Sequence, residues 1–318
     1  MKPHSKSDAR KVVMAALLGN LGIAVAKFVA AWLSGSTAIL AEGVHSLADT
    51  GNQGLLLVGM GLAKQQRPEL YPLGRDKESY FWAFIVALLL FFVGGVFAVY
   101  EGVQHLVGAE PAHGSLLIPL GVLAVSLLME GGSFFVAFRE FNKVRNGQGF
   151  FRALFSGKDP TIPVVLLEDT AAVCGLVVAF LAIAVSALTH NPLADAIGSI
   201  VIGLLLCTVG LLLARYTRSL LLGEGVTTEV REQALKLVEA TPGVLQVSQF
   251  LSMHLGPETV ILALKVRFEP KTPLEELERM INEIESRVRA ELPQMSKIFV
   301  EPDSTYDGAR DSSLRPAP

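Results

Sequence analysis

The stretch AEGVHSLADT, residues 41–50, places Glu42, His45 and Asp49 inside an apolar run that extends from 36 to 63. That run reads as a membrane helix, and this reading decides the fold. An ionisable group in a bilayer costs several kcal/mol unless it is paired, hydrated or bound to something. The three residues therefore ask for a ligand.

The rest of the chain agrees with a membrane setting. Its 318 residues are 51% hydrophobic and 18% charged, with a mean hydropathy of +0.47. Those values suit an integral membrane protein with a soluble appendage. A span needs about 20 mainly apolar residues, and six segments qualify: 12–33, 36–62, 80–100, 116–138, 162–188 and 193–213. No long apolar run follows Arg215. The first span starts too late and runs too long for a signal-peptide core.

Basic residues orient the spans. Lys2, Lys6, Arg10 and Lys11 precede the first; Lys64, Arg67, Arg75 and Lys77 follow the second; Arg139, Lys143, Arg145, Arg152 and Lys158 follow the fourth. The opposite connections, near Gly35, Pro111 and Asn191, carry no Lys or Arg. The excess of positive charge on one side puts both termini in the cytoplasm. Cys174 and Cys207 both fall in spans and read as small packing residues.

The C-terminal part reads as a compact α+β unit of order α-β-β-α-β. Residues 226–240 suggest a helix, 244–254 and 259–268 two strands, and KIFVEP at 297–302 a third. In the second strand Val260, Leu262, Leu264 and Val266 alternate with Lys265 and Arg267, the pattern of a half-buried strand. Thr272-Pro273-Leu274-Glu275 suggests a helix start with Thr272 as N-cap. A core this small gains from dimerisation. The expected division is an N-terminal segment at 1–11, a transport domain at 12–215, a soluble domain at 216–301 and a disordered tail at 302–318.

His45 and Asp49 are four residues apart, so on a helix they share one face about 6 Å apart along the axis. An imidazole and a carboxylate so placed can grip one divalent cation, and a second helix must complete the site. The fifth span offers Glu168 and Asp169; Asn52 and Gln53 add hydrogen-bonding groups to the second.

The segment SGSTAILAEGVHSLADTGNQ resembles the second-helix motif of the cation diffusion facilitator family. YPLGRDKESYFWAF, ADAIGSIVIG and the soluble α+β unit extend the resemblance to nearly the whole chain, and LLEDTAAVCG and MHLGPETVILALKVRF are closest to the branch containing the animal mitochondrial zinc transporter. The resemblance implies a homodimeric, proton-coupled exporter of zinc or a related cation, with six membrane helices, a ferredoxin-like cytoplasmic domain and a tetrahedral site between the second and fifth helices. By position His45 and Asp49 match the second-helix ligands. On the fifth helix, aligning Gly175 puts Asp169 on the second expected ligand and Val165 on the first; taking Glu168 as the first puts Ala172 on the second. In either register one ligand is missing, and Glu168 and Asp169 point about 100° apart. Glu168, a water or another helix would supply the fourth ligand. Asp49 falls mid-span, whereas Glu168 and Asp169 fall near the start of theirs, beside Pro160 and Pro163.

Other intramembrane charges have readings of their own. Glu130 is an accessory ligand, a proton carrier or a partner for Lys27. Lys27 forms a structural pair with a carboxylate, or snorkels to the outer interface. Glu42, one turn from His45, lines the exit path; Asp195 is an interfacial or capping residue. His254 reads as structural or surface. The absence of HExxH and of H-x-E…C-x-x-C spacing argues against a metal-dependent enzyme. A membrane metal sensor or scaffold is the remaining alternative to transport. Imidazole with carboxylates suits Zn²⁺ and admits Mn²⁺, Fe²⁺ or Co²⁺. The expected setting is a bacterial inner membrane, with lipid, divalent cations and protons as partners and neither an organic cofactor nor nucleic acid.

Overall fold

A computed structural model describes residues 6–34, 37–65, 67–107, 117–145, 149–189 and 193–303. The chain divides into two compact units, 1–221 and 222–318.

In the first unit the apolar runs form long helices, α1 (Lys6–Ser34) and α2 (Thr37–Ala63) leading. The third run begins as α3 (Glu78–Leu89), passes through a π-helical segment (Leu90–Val96) and continues as α4 (Phe97–Val107). α5 (Leu117–Val144), a short α6 (Phe150–Ser156), α7 (Thr161–Thr189) and α8 (Leu193–Leu222) follow. α2 packs against α1 and α3, α7 packs against α5, and α1 reaches α5 and α7 as well. Among the described residues five stretches are long and apolar enough to cross a membrane, α3 to α4 counting as one. α2 is the sixth expected span. Its 27 residues suffice in length, but Asp49, Asn52 and Gln53 make it less apolar, and these three are turned inward and buried. A polar span is stable when its polar face meets other protein rather than lipid.

Several helices outrun the spans read from hydropathy: α1 begins at Lys6 rather than 12, α4 ends at Val107 rather than 100, and α5 ends at Val144 rather than 138. α8 runs past 213 to Leu222, because a helix does not stop where hydropathy falls. Tyr216, Thr217 and Leu220 remain buried beyond Arg215. Gly223, with φ 104°, then ends it in the left-handed conformation that glycine adopts without steric cost. The third span is not a plain α-helix: its π segment includes Gly94 and Gly95. Hydropathy cannot show this, since π and α segments have the same composition.

Glycines set the spacing of this span against α8. A Cβ on Gly203 would lie 2.6 Å from the Val99 backbone nitrogen, and one on Gly210 would lie 2.9 Å from Phe91 Cα. Between membrane helices such close approach replaces the hydrophobic drive that lipid removes. Gly203→Val is therefore expected to destabilise the membrane unit by about 1–3 kcal/mol through overpacking. Gly61→Ala, where a Cβ meets nothing within 4 Å, should stay within about 0.5 kcal/mol. Thermal unfolding of both variants in detergent checks the difference; equal midpoints would mean that the crossing relaxes freely.

The second unit contains α9 (Thr228–Glu239), β1 (Val244–Gly256), β2 (Thr259–Phe268), α10 (Leu274–Glu291) and β3 (Lys297–Pro302), in the expected α-β-β-α-β order. β2 is central, antiparallel to β1 and parallel to β3. Val260, Leu262, Leu264 and Val266 are buried against Ala234 and Val238 of α9 and Ile284 and Val288 of α10. Each such side chain contributes about 1.5–3 kcal/mol by leaving water. On the other face of β2, Lys265 pairs with Glu301 at 3.4 Å. The expected cap at α10 differs: Pro273 occupies the N-cap, and the Thr272 hydroxyl donates to the Glu269 carbonyl at 2.7 Å instead. Thr272 closes the preceding turn, a local bond that competes with capping. The proposed disordered tail lies outside the described residues beyond Asp303.

Candidate metal site

α2 and α7 meet through polar side chains. Asn52 Nδ2 donates to Glu168 Oε1 at 2.8 Å, and Gln53 Nε2 donates to Glu168 Oε2 at 3.1 Å. Gln53 Oε1 in turn accepts from Asn20 Nδ2 of α1 at 3.3 Å. Asp169 turns to a different neighbour: its Oδ2 accepts from Ser133 Oγ of α5 at 2.9 Å. The helical rotation between consecutive residues thus sends Glu168 to α2 and Asp169 to α5.

The difference in depth within the two spans disappears in three dimensions. α7 begins at Thr161, with Pro163 in its first turn, where the missing N–H costs nothing. Glu168 is then about two turns into the helix and level with Asn52, one turn along α2 from Asp49.

Four carboxylates collect here, and all are buried: Asp49 is 9% exposed, Glu130 4%, Glu168 5% and Asp169 1%. Asp49, Asp169 and Glu130 all act electrostatically on Glu168, Asp49 most strongly, and Asp49 acts on Asp169 as well. Like charges buried together repel far more strongly than they would in water. Such a cluster is stable only with protons or cations among its members. No three His, Cys, Asp or Glu side chains among the described residues converge on one point as ligands of a single ion. The side chains of His45 and Glu42 lie outside the described residues; the backbone of both is helical, within α2.

Lys27 is buried at 6% exposure, and its ammonium donates to Ser46 Oγ of α2 at 2.9 Å. A lysine so enclosed does not snorkel to an interface. Asp195 occupies the first turn of α8, where a carboxylate complements the helix dipole. His254 is buried, and its backbone N–H bonds the Glu224 carbonyl at 2.8 Å, which removes the surface reading and leaves the structural one. Cys174 is exposed on α7 rather than packed, and Cys207 is half-buried; thiols are apolar enough for either face. His105 is exposed near the end of α4, while His113 and His190 lie outside the described residues.

Asn20, Ser46 and Ser133 were not apparent as site residues from the sequence. A weak signal existed. Asn20 is two helical turns from Lys27, and Ser133 one turn from Glu130, so each shares a face with a charge already conspicuous.

The cation efflux transmembrane domain model matches residues 13–222. The chain belongs to the cation diffusion facilitator, or cation efflux, family. Within this family it is 33% identical over 261 residues to the proton-coupled zinc antiporter SLC30A9, mitochondrial, of Mus musculus, a match covering 81% of this chain and 46% of that protein. It is 34% identical over 251 residues to metal tolerance protein C4 of Arabidopsis thaliana, covering 78% and 55%. The chain thus spans about half the length of these relatives. The magnetosome protein MamB of Paramagnetospirillum magneticum is 23% identical over 305 residues, covering 95% and 97%. Among solved structures, the nickel form of a MamM CTD variant covers 25% of this chain and 100% of its own, at 14% identity and a TM-score of 0.24.

Proposed function

We propose that this chain is a secondary transporter that carries a divalent cation, Zn²⁺ foremost, out of the cytoplasm in exchange for protons. The observation that carries the reading is the buried acidic cluster shared by α2, α5 and α7, with Asp49 and Glu168 on facing helices. His45 shares the Asp49 face of α2 by helical spacing and is the proposed nitrogen ligand. Asp49 is the central carboxylate. Glu168 adds a second from α7, with Asp169 and Glu130 close enough to modulate the charge. Glu42 is proposed to line the exit path and Lys27 to balance charge near Ser46.

Exchange follows from the same groups. Carboxylate and imidazole bind a metal only when deprotonated, so cation and proton compete for them. A site facing the cytoplasm takes metal; opened outward, it releases metal and returns with protons. The relative named as a proton-coupled zinc antiporter supports this direction of reading. The oxygen-rich donor set also favours a second reading, a Mn²⁺, Fe²⁺ or Co²⁺ exporter on the same scheme.

The proposed setting is a homodimer in a bacterial inner membrane with both termini cytoplasmic. Residues 12–215 carry transport, and 216–301 serve dimerisation and regulation.

Uptake of Zn²⁺ by proteoliposomes holding the full chain tests the proposal. An opposing pH gradient should raise the initial rate several-fold, and dissipating it with a proton ionophore at clamped membrane potential should remove that gain. Metal-specific flux indifferent to the gradient would indicate uniport. Binding without flux would favour the sensor or scaffold.

A further inference from the structure

Gln53 uses its amide at both ends: it accepts from Asn20 and donates to Glu168, while its side chain is 0% exposed. Asn52 takes the other Glu168 oxygen at 2.8 Å. The donors run in one direction, from Asn20 to Gln53 to Glu168, and end on a carboxylate, which in its ionised form only accepts. Asn20 Oδ1, also buried, meets no hydrogen-bond donor among the described residues, so the orientation of Asn20 serves Gln53 rather than its own satisfaction. Helix packing alone does not call for amides here. Leucines would fill the space between apolar helices with no polar atoms left to satisfy.

We infer that Asn20, Gln53 and Asn52 form a positioning relay that holds Glu168 toward α2, beside Asp49, and so determines which of the two α7 carboxylates serves the site. The inference rests on the function proposed above. It accounts for the missing ligand on α7: one carboxylate held by two amides, with Asn20 bracing one of them, takes the place of a pair of ligands one turn apart. Hydrogen-bond partners of metal ligands fix orientation, and losing one typically costs about 10- to 100-fold in affinity or activity.

The experiment measures Zn²⁺ affinity by calorimetry and uptake kinetics in proteoliposomes, using the full chain. Gln53→Leu should weaken affinity and raise the apparent KM by about 10-fold or more, while the maximal rate changes by less. Asn20→Leu, one link further away, should have the same sign and a smaller effect. The exchange Gln53→Glu with Glu168→Gln keeps one carboxylate and one amide across α2 and α7, and Asn20 still donates to an acceptor. It should recover part of the affinity that either change alone removes. Affinity of Gln53→Leu within about twofold of the unmodified protein, alongside lost binding in Asp49→Ala, would reduce the amides to packing and overturn the relay. Unchanged binding in Asp49→Ala would instead bring down the site itself, and the relay with it. Should Gln53→Leu fail to fold, the exchanged pair decides: recovery above both single variants supports the relay, and none refutes it.

Discussion

Asp49→Ala is expected to reduce metal transport to the level of protein-free vesicles. The substitution removes a ligand and a negative charge together. It leaves His45 without the partner that helical spacing gives it on α2. The remaining carboxylates of the cluster, Glu130, Glu168 and Asp169, belong to α5 and α7, so among the described side chains α2 would contribute none. Folding should survive, because the change relieves repulsion: Asp49 is the strongest electrostatic neighbour of Glu168 and also acts on Asp169. Stability equal to or above that of the unmodified protein, together with lost transport, is therefore the expected pair of results. Size exclusion and thermal unfolding in detergent check the first, and zinc uptake the second. Near-normal uptake would show that the second-helix pair is structural.

On α7 the larger loss should come from Glu168→Gln, by at least about tenfold in uptake, with Asp169→Asn milder. The geometry gives the order. Both Glu168 oxygens accept from side-chain NH₂ groups, at 2.8 and 3.1 Å. A glutamine there sets its own NH₂ against one of those donors, and a donor facing a donor breaks the contact and leaves buried groups unpaired. Asparagine at 169 keeps a carbonyl oxygen that can still accept from Ser133, which now bonds Asp169 at 2.9 Å. The opposite order would support the register set by Gly175, in which Asp169 is the principal fifth-helix ligand. Parallel uptake measurements on the two variants distinguish the registers, provided that both insert equally.

How much of the site was legible follows from the kind of information each residue carries. His45 and Asp49 stand out in one dimension because their spacing lies within a single helix, and helical periodicity needs no neighbour to be known. Glu168 and Asp169 stand out as charges in an apolar run, but their partners do not. Whether two adjacent residues face α2 or α5 depends on how α7 is rotated, and that is settled by packing against other helices. Asn20 and Ser133 gave only a weak signal for a related reason. A single polar residue is common in a span, and its meaning comes only from the atom it meets. Lys27 was conspicuous as a charge, yet its contact with Ser46 required the approach of α1 and α2.

The sequence by itself determined the membrane class, the C-terminal α+β unit with β2 in its observed bounds, and the shared α2 face of His45 and Asp49. These follow from local quantities: run length, alternation along a strand and spacing along a helix. Only the tertiary structure decided the π segment in the third span, the extension of α8 to Leu222, the displacement of Thr272 from its cap and the pairing of Glu168 with Asn52 and Gln53. Each of these is set by which groups meet across elements or compete for one hydrogen bond. Composition does not encode such encounters, because the same residues in another packing would satisfy their polar groups elsewhere.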